Sequence, residues 1–248
     1  MVFNSIASVL SFLTIIPMPR AYNFDLVTIS KSMYFFPVCG VIIGIIVGFV
    51  ALLSFTVLPH YISSLLILVT LVIVTGVHHI DGLADFADGL MIKGNKESKR
   101  KAMSDPFVGA SGTTALIINF IGLFVALINF ESGLKLFYSI IVSEVIAKYV
   151  MVFQASVGHS AWPGFSSSFT IEMKKGYKII LSILITISIV YFIEGILGLL
   201  TLGIVIIIGL FILFVSYKKF GGVTGDVFGA TNEISRLASL LILSTLMI

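Results

Sequence analysis

Charged side chains are scarce in this 248-residue sequence. Asp, Glu, Lys and Arg together make up 11% of it, against about 25% in an average soluble domain. That leaves too little polar surface to coat a globule in water. The single cysteine, Cys39, lies inside an apolar run, which excludes a disulfide framework and any Cys-based zinc or iron–sulfur site. Residues 1–19 have no basic stretch and no small-residue cleavage site, so they do not read as a signal peptide. The formal net charge of +3 is small and dispersed, which argues against nucleic acid as a partner. What is abundant is hydrocarbon: 58% of residues are hydrophobic and the mean hydropathy is +1.15. The expected class is an all-α, polytopic integral membrane helical bundle, one domain over residues 1–248.

A transmembrane helix needs about 20 predominantly apolar residues. Residues 35–57 carry no charge, and 61–77 follow a turn at Pro59-His60. Residues 113–130 and 134–155 form a pair joined at Glu131-Ser132-Gly133, and 178–217 are long enough for two helices turning near Glu194-Gly195. Residues 234–248, shorter and carrying Arg236, add a seventh span to these six. Residues 1–33, with Pro17 and Pro19, read as an interfacial or re-entrant segment. Gly40, Gly44 and Gly48 make a GxxxGxxxG face suited to helix packing.

The positive-inside rule orients this arrangement. With the residues before the first span in the cytoplasm, Arg20, Lys31, the linker lysines and Arg100, Lys174, Lys175, Lys178, Lys218, Lys219 and Arg236 fall on or at the edge of that side. They are 13 of the 15 basic residues; Lys135 lies opposite and Lys148 inside a span. The same threading gathers 78–112 and 221–233 on the cytoplasmic face of a cell (plasma or inner) membrane.

Those two stretches hold the chemistry. In His78-His79-Ile80-Asp81-Gly82-Leu83-Ala84-Asp85-Phe86-Ala87-Asp88-Gly89-Leu90, three aspartates are spaced i, i+4, i+7. On a helix that spacing confines them to an arc of about 60°. Three such carboxylates beside a bilayer do not all stay ionised without a cation; either a pKa rises or a metal sits between them. An all-oxygen donor set favours Mg²⁺, Mn²⁺ or Ca²⁺. Gly82 and Gly89 leave room for a substrate or a neighbouring backbone. The alternative is a solvated acidic helix end.

Gly221-Gly222-Val223-Thr224-Gly225-Asp226 precedes a helical segment and can present backbone N–H groups to phosphate. The alternative is a plain interhelical turn. It is neither a Walker loop nor a Rossmann fingerprint. Asp226 and Glu233 can extend the acidic cluster. The linker 93–101 holds five positive charges, which serve phosphate neutralisation or topology and anionic-lipid contact. Asp105 before Pro106 fits an N-cap and N1 pair opening the next helix, or a metal or substrate role. His78 and His79 are acid–base or structural candidates. Glu144 and Lys148, four apart within a span, pair with each other. The polar loop 156–170, with His159 and the only Trp, Trp162, is a candidate part of a binding site.

At this point the sequence resembles the cobalamin synthases, the adenosylcobinamide-GDP ribazoletransferases. The matching elements are Phe12-Leu13-Thr14 with Pro17 and Pro19, Phe36-Pro37-Val38-Cys39-Gly40 through Gly44, the His78–Leu90 signature, Met103–Gly112 and Gly222–Glu233. After the fourth span, where the family has an Ala-Arg…Gly-Leu-Gly type of segment, this chain has Gln154-Ala155-Ser156-Val157-Gly158-His159. The resemblance implies that a hydroxyl of α-ribazole, or of its 5′-phosphate, attacks the cobinamide-side phosphorus of adenosylcobinamide-GDP and GMP leaves. It implies Mg²⁺, or Mn²⁺, held by Asp81, Asp85, Asp88 and Asp226, with Asp85, Asp88 or His78 taking the proton. Thr224, Gly225, Lys93, Asp105 and Glu233 are the expected substrate- and phosphate-contacting residues. Membrane lipid is an expected partner, and a homo-oligomer is compatible with the pattern.

Three rival readings differ in specific residues. CDP-alcohol-type membrane phosphotransferases show Asp-Gly-x-x-Ala-Arg, whereas Asp81-Gly82-Leu83-Ala84 is followed here by Asp85. A cation or proton transporter would carry its carboxylates at the midplane of repeated halves, and these gather at one edge. A scaffold leaves the acidic helix without a purpose.

Overall fold

The structure, a computed structural model, describes residues 2–18 and 25–246; Pro19 and Arg20 lie outside the described residues. Among the described residues every regular element is helical. The order is α1 (Val2–Leu13), α2 (Leu26–Lys31), a 3-10 turn (Met33–Phe35), α3 (Phe36–Val57), α4 (His60–Thr75), α5 (His78–Met91), α6 (Lys96–Met103), α7 (Ala110–Ile128), α8 (Gly133–Val157), α9 (Phe165–Met173), α10 (Gly176–Lys219) and α11 (Gly225–Leu246).

Four helices, α3, α7, α8 and α10, are long and apolar enough to cross a membrane, and a fifth span follows if the bent α4–α5 pair counts as one. The protein is a multi-pass membrane protein. α10 has the length of two crossings: its 44 residues would measure ~66 Å straight, about twice the hydrocarbon core. The chain reverses at Gly195 (φ 59°, ψ −139°). A Cβ on Gly198 would lie 2.7 Å from Val190 Cγ1, a contact that a straight helix forbids to residues eight apart. The turn expected near Glu194-Gly195 is present.

Helix α8 is the centre of the bundle, and nearly all its residues from Ser139 to Ala155 are buried. The glycine stripe of α3 lies against it. A Cβ on Gly40 would come within 2.8 Å of Glu144 O, and one on Gly44 within 2.5 Å of Ile141 Cα. Lipid offers no hydrophobic drive for helices to associate, so close backbone packing of this kind holds the pair.

α11 carries charge into the apolar interior and neutralises it there. Arg236 donates through Nε and Nη2 to the Glu144 carboxylate, and through Nη1 to Glu233 Oε1 at 2.6 Å. Lys148 lies 3.2 Å from Glu144 and donates to Asn232 at 2.6 Å. Asn119 of α7 donates to Glu233 at 3.4 Å. Two acids and two bases, each at most 1% exposed, sum to zero. The Glu144–Lys148 pair is present, as half of a four-charge network. Arg236, counted above with the basic residues of one face, is interior and leaves that set.

Candidate active site

Gly76 (φ 66°) ends α4, and α5 departs at 93° to it. This corner turns α5 out of the spanning direction and lays its acidic face between α7 and α11. The crossing with α11 is made of glycine. A Cβ on Gly82 would sit 3.1 Å from Asp226 Cα, and one on Gly229 3.2 Å from Gly82 Cα. Two bare backbones thus touch, and Asp226, in the first turn of α11, comes beside Asp81 and Asp85.

The electrostatics follow from this placement. Asp81 is exposed and Asp85 half-buried. Burial first, then the charges of Asp81, Asp226 and Asp88, push the Asp85 carboxyl up to about 7. Asp226 is also raised, mainly by burial and partly by Asp81, against a hydrogen bond from the Thr224 hydroxyl at 3.3 Å. His79 is buried, and burial first, with nearby positive charges, holds its ring well below the ordinary histidine value.

Asp88 faces the other way along the same arc. Its Oδ2 accepts from Gly109 N at 2.7 Å and its Oδ1 from Gly112 N at 2.9 Å. It therefore caps α7 from a neighbouring helix. Asp105, expected to cap that helix, instead accepts from Phe107 N at 3.0 Å in a local turn, and α7 begins five residues later at Ala110. Asp88, of the acidic triplet, is the one whose two oxygens are both engaged by backbone.

The glycine loop is stitched from one side. Val223 N donates to His159 O and Ala161 N to Val223 O, both at 2.9 Å. His159 bonds Tyr217 Oη through Nδ1 at 2.8 Å and Gly221 O through Nε2 at 3.1 Å. The 156–170 stretch is thus a brace for the loop, and α9 begins within it. Thr224 is buried and caps α11, accepting from Val227 N at 3.1 Å. Gly225 stays partly open. From the linker, Lys96 Nζ lies 2.8 Å from where a Cβ on Gly221 would stand, and Arg100 lies 4.8 Å over the Trp162 ring. Lys99 is buried and donates to Gly89 O and Ile92 O, closing the end of α5. Lys93 and His78 are exposed. Glu233, expected near phosphate, has no open face: its carboxylate is spent on Arg236, Asn232 and Asn119.

Among the described residues no three His, Cys, Asp or Glu side chains converge as a metal cage. Mg²⁺ seldom asks for one, because it keeps several waters and is held by one or two carboxylates and the phosphates of its substrate. The all-oxygen group of Asp81, Asp85 and Asp226 fits such an ion.

The whole chain bears on what this face does. The family model described as cobalamin-5-phosphate synthase matches residues 5–244. The chain belongs to that family. It is 31% identical to the adenosylcobinamide-GDP ribazoletransferase of Methanocella arvoryzae over 96% of this chain and 94% of the relative. The enzymes of the same name from Fusobacterium nucleatum, at 32% over 94% of each chain, and Archaeoglobus fulgidus, at 31% over 96% and 95%, are comparably similar. No solved structure matches it. The protein is an enzyme, a transferase of cobalamin synthesis, and the transporter, scaffold and lipid-phosphotransferase readings fall with that assignment.

Proposed function

We propose that this enzyme transfers the cobinamide-phosphate group of adenosylcobinamide-GDP to a hydroxyl of α-ribazole or its 5′-phosphate, releasing GMP. The observation that carries the reading is the glycine-to-glycine crossing, which brings Asp81 and Asp85 of α5 beside Asp226 of α11 in a chain of this family. The names of the relatives supply the substrates. The hydroxyl oxygen forms a bond to the cobinamide-side phosphorus, the bond to the GMP oxygen breaks, and the hydroxyl proton goes to a base. Asp85, pushed up to about 7, and the exposed His78 at the start of α5 are suited to that proton. Bound at Asp81, Asp85 and Asp226, Mg²⁺ would neutralise diphosphate charge as phosphoryl transfer requires. Lys96 at Gly221 and the open Gly225 backbone offer positive partners to phosphate oxygens. The predominance of basic residues on the same side supports a cytoplasmic-facing site in the cell membrane.

The test is turnover by lipid-reconstituted protein given adenosylcobinamide-GDP and either nucleophile, with Mg²⁺ or EDTA, following GMP and corrinoid product. Metal-dependent release of both is expected. Asp85→Asn should abolish turnover in protein that remains folded; activity retained in that variant removes Asp85 from the mechanism.

A further inference from the structure

Phe12 of the N-terminal Phe12-Leu13-Thr14 element is absorbed by none of the chemistry above, yet it walls a cavity of about 460 Å³ that His78 and Gly225, the neighbour of Asp226 in sequence, also line. Phe12 of α1, Phe165 of α9, Phe228 of α11 and Met151 of α8 form its apolar walls, and His78 and Gly225 stand at the side of the active site. Phe12 and Phe165 lie 5.5 Å apart between centroids, inclined at 34°. Pockets of about 300–1,000 Å³ hold ligands of drug size, so this one suits a single nucleoside and is too small for a corrinoid.

Its polarity is specific. No lysine or arginine lines it, so a diphosphate has no partner there. His79 also lines it and is only 8% exposed, and its Nε2, unlike the enclosed Nδ1, is the ring nitrogen left for a ligand. An occupant that is flat, uncharged, apolar on its faces and equipped with one in-plane hydrogen-bonding atom resolves all of these features at once.

We propose that this cavity seats the benzimidazole base of the nucleoside acceptor, with its free ring nitrogen paired to His79 Nε2 and its faces against the Phe12, Phe165 and Phe228 rings. The ribose then lies toward His78 and Gly225, and so toward Asp81 and Asp226, while the anionic donor approaches from the Lys96 side. The proposal rests on the transfer reaction proposed above, and gives the N-terminal segment a role as one wall of the acceptor site.

The test is steady-state kinetics of the full chain in lipid nanodiscs, varying each substrate in turn, with thermal midpoints recorded for every variant. Ser11 also lines the cavity, so Ser11→Trp fills it, and His79→Phe keeps its shape but removes the nitrogen. Each should raise KM for α-ribazole by about tenfold or more, the size of one lost hydrogen bond. KM for adenosylcobinamide-GDP should stay unchanged. The shift should be equal for ribazole and its 5′-phosphate, since the base is common to both. His79→Gln, which keeps a polar atom near the Nε2 position, should recover most of the affinity. Phe165→Ala, at a partly exposed position, serves where the other variants do not fold, and should act in the same direction. A rise confined to KM for the GDP-bearing donor, or no rise in any variant, overturns the proposal. Should wild type give no product, the transfer reading fails separately. Direct binding of free 5,6-dimethylbenzimidazole then decides the cavity: binding lost in Ser11→Trp supports it, and no binding by wild type overturns it.

Discussion

Replacing Arg236 by methionine should cost the protein about 3–5 kcal/mol. The substitution keeps an unbranched apolar stem and removes three donors, those to Glu144 through Nε and Nη2 and to Glu233 through Nη1. Lys148 still balances Glu144, but Glu233 is left 1% exposed with only Asn232 and Asn119 as donors. Breaking a buried pair from one side typically costs about 3–5 kcal/mol. A second route to the magnitude agrees. The chain can escape an unpaired buried charge by taking up a proton, and for an ordinary carboxylic acid titrating near 4.3 in water that costs about 3.7 kcal/mol at pH 7. The sign follows from the same account: the variant binds a proton in the folded state that it lacks unfolded, so its deficit shrinks by about 1.4 kcal/mol for each pH unit lowered toward 5. Equilibrium unfolding in mixed micelles at pH 7 and pH 6 measures both quantities. The double variant Glu233→Gln with Arg236→Met removes one charge of each sign and should regain most of the loss. A deficit under 1 kcal/mol at pH 7, or a double variant no better than the single, would refute the claim that charge balance holds α11 in place.

Three further outcomes follow from other contacts. Asp88→Ala strips the acceptors from Gly109 N and Gly112 N and should lower stability by about 1–3 kcal/mol in the same unfolding assay; Asp88→Asn, which keeps one acceptor, should lose about half as much. Gly82→Val sets a branched side chain where even a Cβ would be 3.1 Å from Asp226 Cα; kcat should fall at least tenfold while the folded yield in membranes stays measurable, and an active Gly82→Val enzyme would contradict the crossing. Asp85 titrates near 7 when folded, against 3.8 as its ordinary value, so the metal-free protein loses stability as pH rises from about 4 through 7. In EDTA at pH 8, Asp85→Asn should therefore melt higher than wild type, by an amount that solvent screening of this half-exposed group limits to about 1 kcal/mol, and the difference should vanish at pH 4.

Much of this architecture was legible in the linear order of residues. Scarce charge and apolar runs of about 20 residues specify a helical membrane bundle, because a helix pairs its own backbone amides in hydrocarbon and the runs are about twice the length of a barrel strand. The reversal at Gly195 and the packing face of Gly40, Gly44 and Gly48 were also readable, being local matters of conformation and side-chain size. So was the shared arc of Asp81, Asp85 and Asp88, which is helical periodicity alone. Periodicity could not say which neighbour each aspartate would meet. Within one 60° arc, the packing of α5 between α11 and α7 sends Asp85 toward Asp226 and Asp88 onto the amides of Gly109 and Gly112. Likewise, Glu233 and Arg236 look like polar residues of a membrane-edge helix in the sequence. Only the approach of α8, bringing Glu144 and Lys148 from some 90 positions away, makes them a buried neutral cluster. Local spacing determines what a helix presents, and the long-range crossing of helices decides what receives it.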